Sequence, residues 1–370
     1  MTVHIEPTLK PKPIAPDLTS NTAGIISPNP FWLASAPPAN SGDQVKRAFD
    51  AGWGGAVWKT LGNPIVNVSS RFGAIEYGGK RVMGFNNIEL ITDRPLETNF
   101  REIADVKKHY PKHAVIVSLM VETREEWKEI IARSEDAGAD GVSLINTIKS
   151  IVGVDIDTFV PRPVVGNLST NGGYCGVAVK PIALHMVAAL AREKEFGLPI
   201  SGIGGIANWR DAVEFLLLGS SSVQVCTEVM LKGYRIVEDM IEGLNTWMDE
   251  KGFERLDQVI GKSIPHYSEW GDLDLNYETV AKIDAAKCIG CQLCMVACHD
   301  GAHQCIHPNP DGTRIPVVDE AECVGCNLCQ IVCPVQGCIS MVPVQNGFAP
   351  ATWNQHVEQG LALRPKKGAH

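Results

Sequence analysis

The run SGIGGIANWRDAVEFLLLGSSSVQVCT, residues 201–227, separates two fold classes. A short apolar strand at 199–202 leads into glycines, Asn208 can cap the helical run WRDAVEFLLLG, and a second apolar strand at 222–227 follows. Strand, helix and strand in this order make a parallel sheet, either doubly wound or closed as a (β/α) barrel. GIGGIA, residues 202–207, matches the G-x-G-x-x-[GA] fingerprint of a dinucleotide site. Such a site belongs early in a chain and needs an acidic residue about 20 positions on, at the end of the next strand. Here the next strand ends in Cys226-Thr227 with no acid. The glycines instead precede the penultimate helix of the domain, where a barrel binds phosphate with its last loops and a helix N-terminus. A flavin mononucleotide (FMN) fits that place better than NAD. Glycines serving only a tight turn are the plainer alternative.

Working outward, further apolar runs at 31–36, 56–60, 114–121 and 141–146 alternate with helical patterns. Ser41 can cap a helix ending at Gly52, and Thr123 with Glu126 makes a capping box before EEWKEIIARSEDAG. The 370 residues suit one large domain and one smaller one. A formal net charge of −9 argues against a nucleic-acid partner, and the basic run Arg364-Pro365-Lys366-Lys367 reads as a solvated tail. No apolar run approaches the ~18 residues of a membrane span. The opening MTVHIEPTLKPKPIAP lacks the apolar core of a secretory signal, so a cytoplasmic address is expected. The breaks in pattern place an extension at 1–24, the barrel at 25–251, a connector at 252–283, a cysteine-rich module at 284–343 and a tail at 344–370.

Ten of the twelve cysteines fall between Cys288 and Cys338. CIGCQLCMVACH sets Cys288, Cys291, Cys294 and Cys298 at C-x2-C-x2-C-x3-C, and CVGCNLCQIVCP repeats the spacing with Cys323, Cys326, Cys329 and Cys333. In two-cluster ferredoxins three close thiolates wrap one [4Fe–4S] cluster and the fourth crosses to the other. Cys288, Cys291, Cys294 and Cys333 are therefore assigned to one cluster, and Cys323, Cys326, Cys329 and Cys298 to its mate. Zinc knuckles would use two separated pairs. His299 replaces the usual proline of the first motif, and Cys305 and Cys338 read as buried fillers. Paired clusters carry single electrons, so the large domain should hold a cofactor that splits electron pairs, again a flavin.

The strand ends agree. LASAPP closes the first strand with small residues that let a flat ring approach, and VWKT closes the second with Lys59 and Thr60. A lysine there can stabilise negative charge on a reduced flavin. FNNIEL offers Asn86, Asn87 and Glu89 to a polar heterocycle, with a capped turn as the plainer role, and Asn146 and Thr147 end the strand of VSLINT.

NPFWLASAPPANSG, VWKTLG, NNIEL, GADGVSLINTI, GGYCGVAVKPIAL, SGIGGI and SVQVCT, with the cysteine module, resemble the dihydropyrimidine dehydrogenases over about residues 25–343. The resemblance implies an α/β chain: a TIM (β/α) barrel of the dihydroorotate dehydrogenase type, then a small α+β ferredoxin domain of the bacterial 2[4Fe–4S] kind. It implies NAD-dependent, reversible reduction of uracil or thymine to the 5,6-dihydropyrimidine. Electrons would come from an NAD(H)-binding FAD flavoprotein partner in a hetero-oligomer, through the clusters to FMN. By the same resemblance Ala34, Ser35, Lys59, Thr60, Gly176, Gly204, Gly205, Cys226 and Thr227 contact FMN. Asn87, Glu89, Asn146 and Thr147 bind the pyrimidine.

The chain departs from this family in the barrel. Six strands are legible where eight are needed, and two motifs are missing. One is the Asn-x-Ser-Cys-Pro-His-Gly loop, whose cysteine is the family's general acid; the other is Lys-Leu-Thr-Pro. The gap falls at AGADG, residues 137–141, where two β/α units would stand. Losing them should open the wall or force it to close anew. The general acid is left unassigned, with Cys175 in NGGYCG the single substitute and packing against its loop the plainer role. Two rivals follow: a catalytically defective or repurposed iron–sulfur electron-transfer subunit, and a dihydroorotate dehydrogenase-like flavoenzyme.

Overall fold

A computed structural model describes residues 15–62, 68, 71–77, 80–89, 91–119, 133, 141–143, 147–192, 199–301 and 303–364. The chain divides into two units, Met1–Tyr267 and Ser268–His370.

The first unit is built on a six-stranded parallel sheet. Its order is Ile200–Ile203, Ser220–Val225, Phe31–Leu33, Gly55–Leu61, Ala114–Leu119 and Gly141–Ser143. Val223 pairs with Phe31, Trp32 with Gly55, and Val57 with Ile116. The last of this sheet's strands in chain order, Ser220–Val225, thus rejoins the first, as in a closed barrel, and the sheet curls as a half-barrel. Among the described residues the ladder ends at Gly141–Ser143 on one side and Ile200–Ile203 on the other. Of the two outcomes expected for a wall lacking two units, the described strands match the open one.

These strands form because they are buried on both faces. Phe31–Leu33 and Ser220–Val225 have no exposed residue, and Trp53, Trp58, Phe215 and Leu244 fill the core against them. Gly55 is required by close approach, since a Cβ there would lie 2.8 Å from that of Ala114. Ser41 Oγ accepts from Gln44 N at 3.3 Å and starts the helix Gly42–Ala51, which Gly52 ends at φ 114°. Thr123 and Glu126 lie outside the described residues.

Two features were not visible in sequence. The end of the expected N-terminal extension forms a hairpin with the start of the barrel region, Ser20–Thr22 with Ile25–Ser27, and Ser20 Oγ donates to the Ser221 carbonyl at 2.6 Å. A second sheet, antiparallel, runs in the order Phe72–Tyr77, Lys80–Asn87, Gly172–Cys175 and Ile148–Ser150.

In the second unit Thr279–Ile283 pairs with Ile339–Pro343, and Ile306–His307 with Val317–Val318. The helix Leu293–Gly301 carries Cys294 and Cys298, and the helix Leu328–Val332 carries Cys329. The described part of the expected tail, 344–364, is folded. Thr352 and Gln355 form a capping box for the helix Trp353–Gln359, and Leu275 N donates to the Ala351 carbonyl. The buried Asn276 amide donates to the carbonyls of Ala349 and Ala362 and accepts from Arg364 N. Arg364, expected to be solvated, is 17% exposed in its side chain and pairs with Glu278 at 3.6 Å. Asn276→Ala is expected to cost about 1–3 kcal/mol through these unmet groups. Faster proteolysis within 345–364, with the strands unaffected, is the measurement. Among the described residues no helix is long and apolar enough to cross a membrane.

Candidate functional site

Lys59 and Trp58 alternate across the strand Gly55–Leu61, so they face opposite ways. Trp58 Nε1 points into the helical layer and donates to Asn99 Oδ1 at 2.9 Å. Lys59 has a side chain only 5% exposed, and its ammonium lies 3.2 Å from the Glu89 carboxylate. Glu89 is fixed from the antiparallel sheet: its own N–H donates to Asn87 Oδ1 at 2.7 Å, and Arg71 Nη1 reaches it at 2.9 Å. Asn87 therefore caps the turn that presents Glu89. The chain of contacts runs on from Arg71 to Asp93 at 3.5 Å and from Asp93 to the Asn40 amide at 3.0 Å. The Asn40 amide, ahead of Arg71, holds the Asp93 carboxyl below the usual carboxylate range. Sequence reasoning missed Arg71, Asp93 and Asn40, because a loop charge carries no periodic signal.

Three consecutive strand ends share hydroxyls. Ser35 Oγ donates to the Trp58 carbonyl at 2.9 Å and lies 3.2 Å from Thr60 Oγ1, which lies 3.0 Å from Ser118 Oγ. Ala34 N donates to the Val225 carbonyl at 2.9 Å, joining the first strand's end to the Cys226 turn.

Thr227 Oγ1 donates to Cys175 Sγ at 3.3 Å, and Cys175 Sγ donates to the Phe85 carbonyl at 3.3 Å. Burial pushes the Cys175 thiol up, with the Thr227 hydroxyl pulling against it. Cys226 is pushed up to about 12, chiefly by burial; Cys175 and Glu89 raise it and Lys59 lowers it. These influences put Cys226 in the same electrostatic neighbourhood as the Lys59–Glu89 pair. Cys226 is expected to resist iodoacetamide at pH 8 in the folded chain, and peptide mapping reads this out.

Gly176 and Gly205 take φ of 89° and 77°. A Cβ on Gly205 would lie 2.8 Å from Lys180 N and 2.9 Å from the Gly176 carbonyl, so the two glycine loops abut. Gly204 is drawn to Ala183 in the same way. The helix N-terminus beyond them differs from the expected phosphate socket. Asp211 accepts from Ala207 N and Asn208 N, and Asn208 Oδ1 accepts from Arg210 N and Asp211 N. The helix caps itself with those amides.

Asn87 lies opposite Gly173 in the antiparallel ladder, and Thr147 Oγ1 sits where a Gly173 side chain would begin. Asn146 lies outside the described residues.

In the second unit Cys288, Cys291, Cys294 and Cys333 line one cavity, and Cys298, Cys323, Cys326 and Cys329 line another. None of the eight is in a disulfide. Cys333 and Cys298 are the crossing members. His299 Nε2 lies 2.9 Å from the Ile306 carbonyl, a role proline could not take. Cys305 and Cys338, read above as fillers, also line these cavities, one in each.

The family described as dihydroorotate dehydrogenase matches residues 87–248, and that described as 4Fe-4S dicluster domain matches 281–341. The chain is 35% identical to the NAD-dependent dihydropyrimidine dehydrogenase subunit PreA of Escherichia coli K12, over 89% of this chain and 96% of that one. It belongs to the PreA-like dihydropyrimidine dehydrogenase family. A plant dihydropyrimidine dehydrogenase (NADP(+)), chloroplastic, from Arabidopsis thaliana is 33% identical over 70% of this chain and 79% of its own. The dihydroorotate dehydrogenase B (NAD(+)) catalytic subunit of Thermococcus kodakarensis is 31% identical over 67% and 98%. The alignment with the E. coli PreA runs 397 positions although it takes in only 89% of these 370 residues. Roughly 70 of its positions face nothing here, about two units of an eight-unit, ~250-residue barrel. Within this dihydropyrimidine dehydrogenase family, then, the open wall of the sheet and the shortfall in aligned length agree.

Proposed function

We propose that this dihydropyrimidine dehydrogenase-like oxidoreductase takes part in the NAD-dependent, reversible reduction of uracil or thymine. An NAD(H)-binding FAD flavoprotein subunit passes electrons through two [4Fe–4S] clusters to FMN. One observation carries this reading: a buried lysine on a parallel strand pairs with a glutamate presented by the antiparallel sheet, on a chain that also has abutting glycine loops and two cysteine-lined cavities.

The residues present suit both groups. Eight cysteine thiols in two sets of four are the donor set of paired cubanes. Gly176, Gly204 and Gly205 take positive φ, the backbone conformation from which N–H groups form anion-binding concavities. When bound, FMN supplies hydride transfer and accepts electrons singly. Lys59 would offer a positive charge to the reduced ring. Ser35 and Thr60 supply hydroxyls, and Ala34, Cys226 and Thr227 form the wall between the first and last strands. Asn87, Glu89, Thr147 and Asn146 are the proposed pyrimidine contacts. The loss of the family's cysteine loop leaves the proton donor unassigned. Cys175, hydrogen-bonded to the Phe85 carbonyl, is held in its loop.

The test is anaerobic reoxidation of the reduced, fully loaded chain by uracil, thymine or orotate. Pyrimidine-dependent reoxidation supports the reading; a flavin-loaded chain inert to uracil and thymine sinks it. The open sheet edge favours a second reading, an iron–sulfur electron-transfer subunit, which requires about eight iron atoms per chain without stoichiometric FMN. Orotate as the sole oxidant would favour the dihydroorotate dehydrogenase-like flavoenzyme. Gly205→Ala is expected to cost about 1–3 kcal/mol of strain and to lower FMN content, read by its absorbance after gel filtration, while iron content stays unchanged.

A further inference from the structure

The second unit is an internal repeat, and the repeat includes more than the eight spaced cysteines. Asp284 N donates to the Cys338 carbonyl at 2.8 Å and Asp319 N to the Cys305 carbonyl at 2.7 Å. Cys288 N donates back to the Asp284 carbonyl, and Cys323 N to that of Asp319, each at 3.0 Å. Cys305 directly precedes the strand Ile306–His307, and Cys338 the strand Ile339–Pro343. The same backbone frame thus puts one further buried thiol into each cavity, so each is lined by five.

Both extra thiols neighbour assigned ligands, Cys338 those of Cys333 and Cys288. Cys338 Sγ donates to the Asp284 carbonyl at 3.8 Å. Cys305 is held by a direct contact: its Sγ lies 3.5 Å from Cys298 Sγ, and its own N–H donates to that sulfur at 3.3 Å. Both are buried, at 4% and 5% exposure. A thiol one sulfur diameter from a ligand, inside the same cavity, can take over that ligand's place without moving the backbone.

We infer that Cys305 is a reserve fourth ligand for the cluster held by Cys323, Cys326 and Cys329, interchangeable with Cys298. In the exchange the iron–sulfur bond to Cys298 breaks and one to Cys305 forms. The Cys305 proton passes to the released Cys298 sulfur, so charge and electron count are unchanged. The inference rests on the cavities being iron–sulfur sites, which the parent chain tests by itself through its iron content.

The experiment measures iron and acid-labile sulfide, with electron paramagnetic resonance of the dithionite-reduced full chain, in four proteins. The parent chain should hold about eight irons; if it holds none, the cluster reading fails before the reserve ligand is tested. Cys298→Ala and Cys305→Ala should each keep about eight, with an altered signal for one cluster in Cys298→Ala. The double variant should fall to about four. A fall to four in Cys298→Ala alone overturns the inference. An insoluble Cys298→Ala chain overturns it equally, since a reserve ligand would have kept the unit folded. Loss of a cluster in Cys305→Ala alone would make Cys305 the native ligand and also overturn it.

Discussion

Replacing Glu89 with alanine is expected to destabilise the first unit by about 3–5 kcal/mol, the usual cost of stranding one partner of a buried ion pair. The stranded group is the Lys59 ammonium, 5% exposed and 3.2 Å from the lost carboxylate. Lys59→Met should cost far less, because Glu89 keeps Arg71 at 2.9 Å and the methionine fills the space with apolar atoms. The asymmetry is the diagnostic. Tryptophan fluorescence in urea reads it, since Trp58 adjoins Lys59, and the Glu89→Ala midpoint should fall by about 1–2 M. Equal shifts in the two variants would mean that the ammonium is hydrated and the pair adds nothing special.

Stripping iron and sulfide is expected to unfold the cysteine-bearing part of the second unit while the first stays folded. Its buried cluster is Val280, Ala281, Ile306 and Ile339 with six cysteines. Four aliphatic residues are too few to hold a domain, and ligation must supply the rest, as it does in small metal-dependent folds. Hydrogen exchange gives the readout. Amides of Thr279–Ile283 and Ile339–Pro343 should lose protection on chelation, and those of Phe31–Leu33 should keep it. Persistent protection in the cysteine unit would show that the strands stand without the clusters.

Much of the parallel sheet was legible because fully buried strands leave unbroken apolar runs. The expected strands at 31–36, 56–60, 114–121, 141–146, 199–202 and 222–227 correspond to Phe31–Leu33, Gly55–Leu61, Ala114–Leu119, Gly141–Ser143, Ile200–Ile203 and Ser220–Val225. The caps at Ser41 and Asn208 were legible because their chemistry is local. The antiparallel sheet was not. Gly172–Cys175 contains two glycines and pairs with a strand some 90 residues earlier, so no short window carries its signal. Arg71 and Asp93 escaped notice for the same reason, as did Asn276, whose partners lie 73 to 88 residues away. In the site, Lys59 and Glu89 could be named from strand ends, but their pairing and the capping role of Asn87 needed three dimensions.

The pairing of Phe85 with Cys175 and of Asn87 with Gly173 closes everything between them into one loop with a fixed base. Lengthening or shortening such a loop changes its closure entropy by only about 0.6 kcal/mol per doubling. Lys59, Cys175 and Cys226 stand at or outside that base, and Glu89 only two residues inside it, tied back to it by the bond from its N–H to Asn87 Oδ1. Whole β/α units can therefore be gained or lost inside the loop while the charged pair and the thiols keep their positions. The ladder works as a splice-tolerant clasp, separating the residues that define a site from the chain length that encloses it.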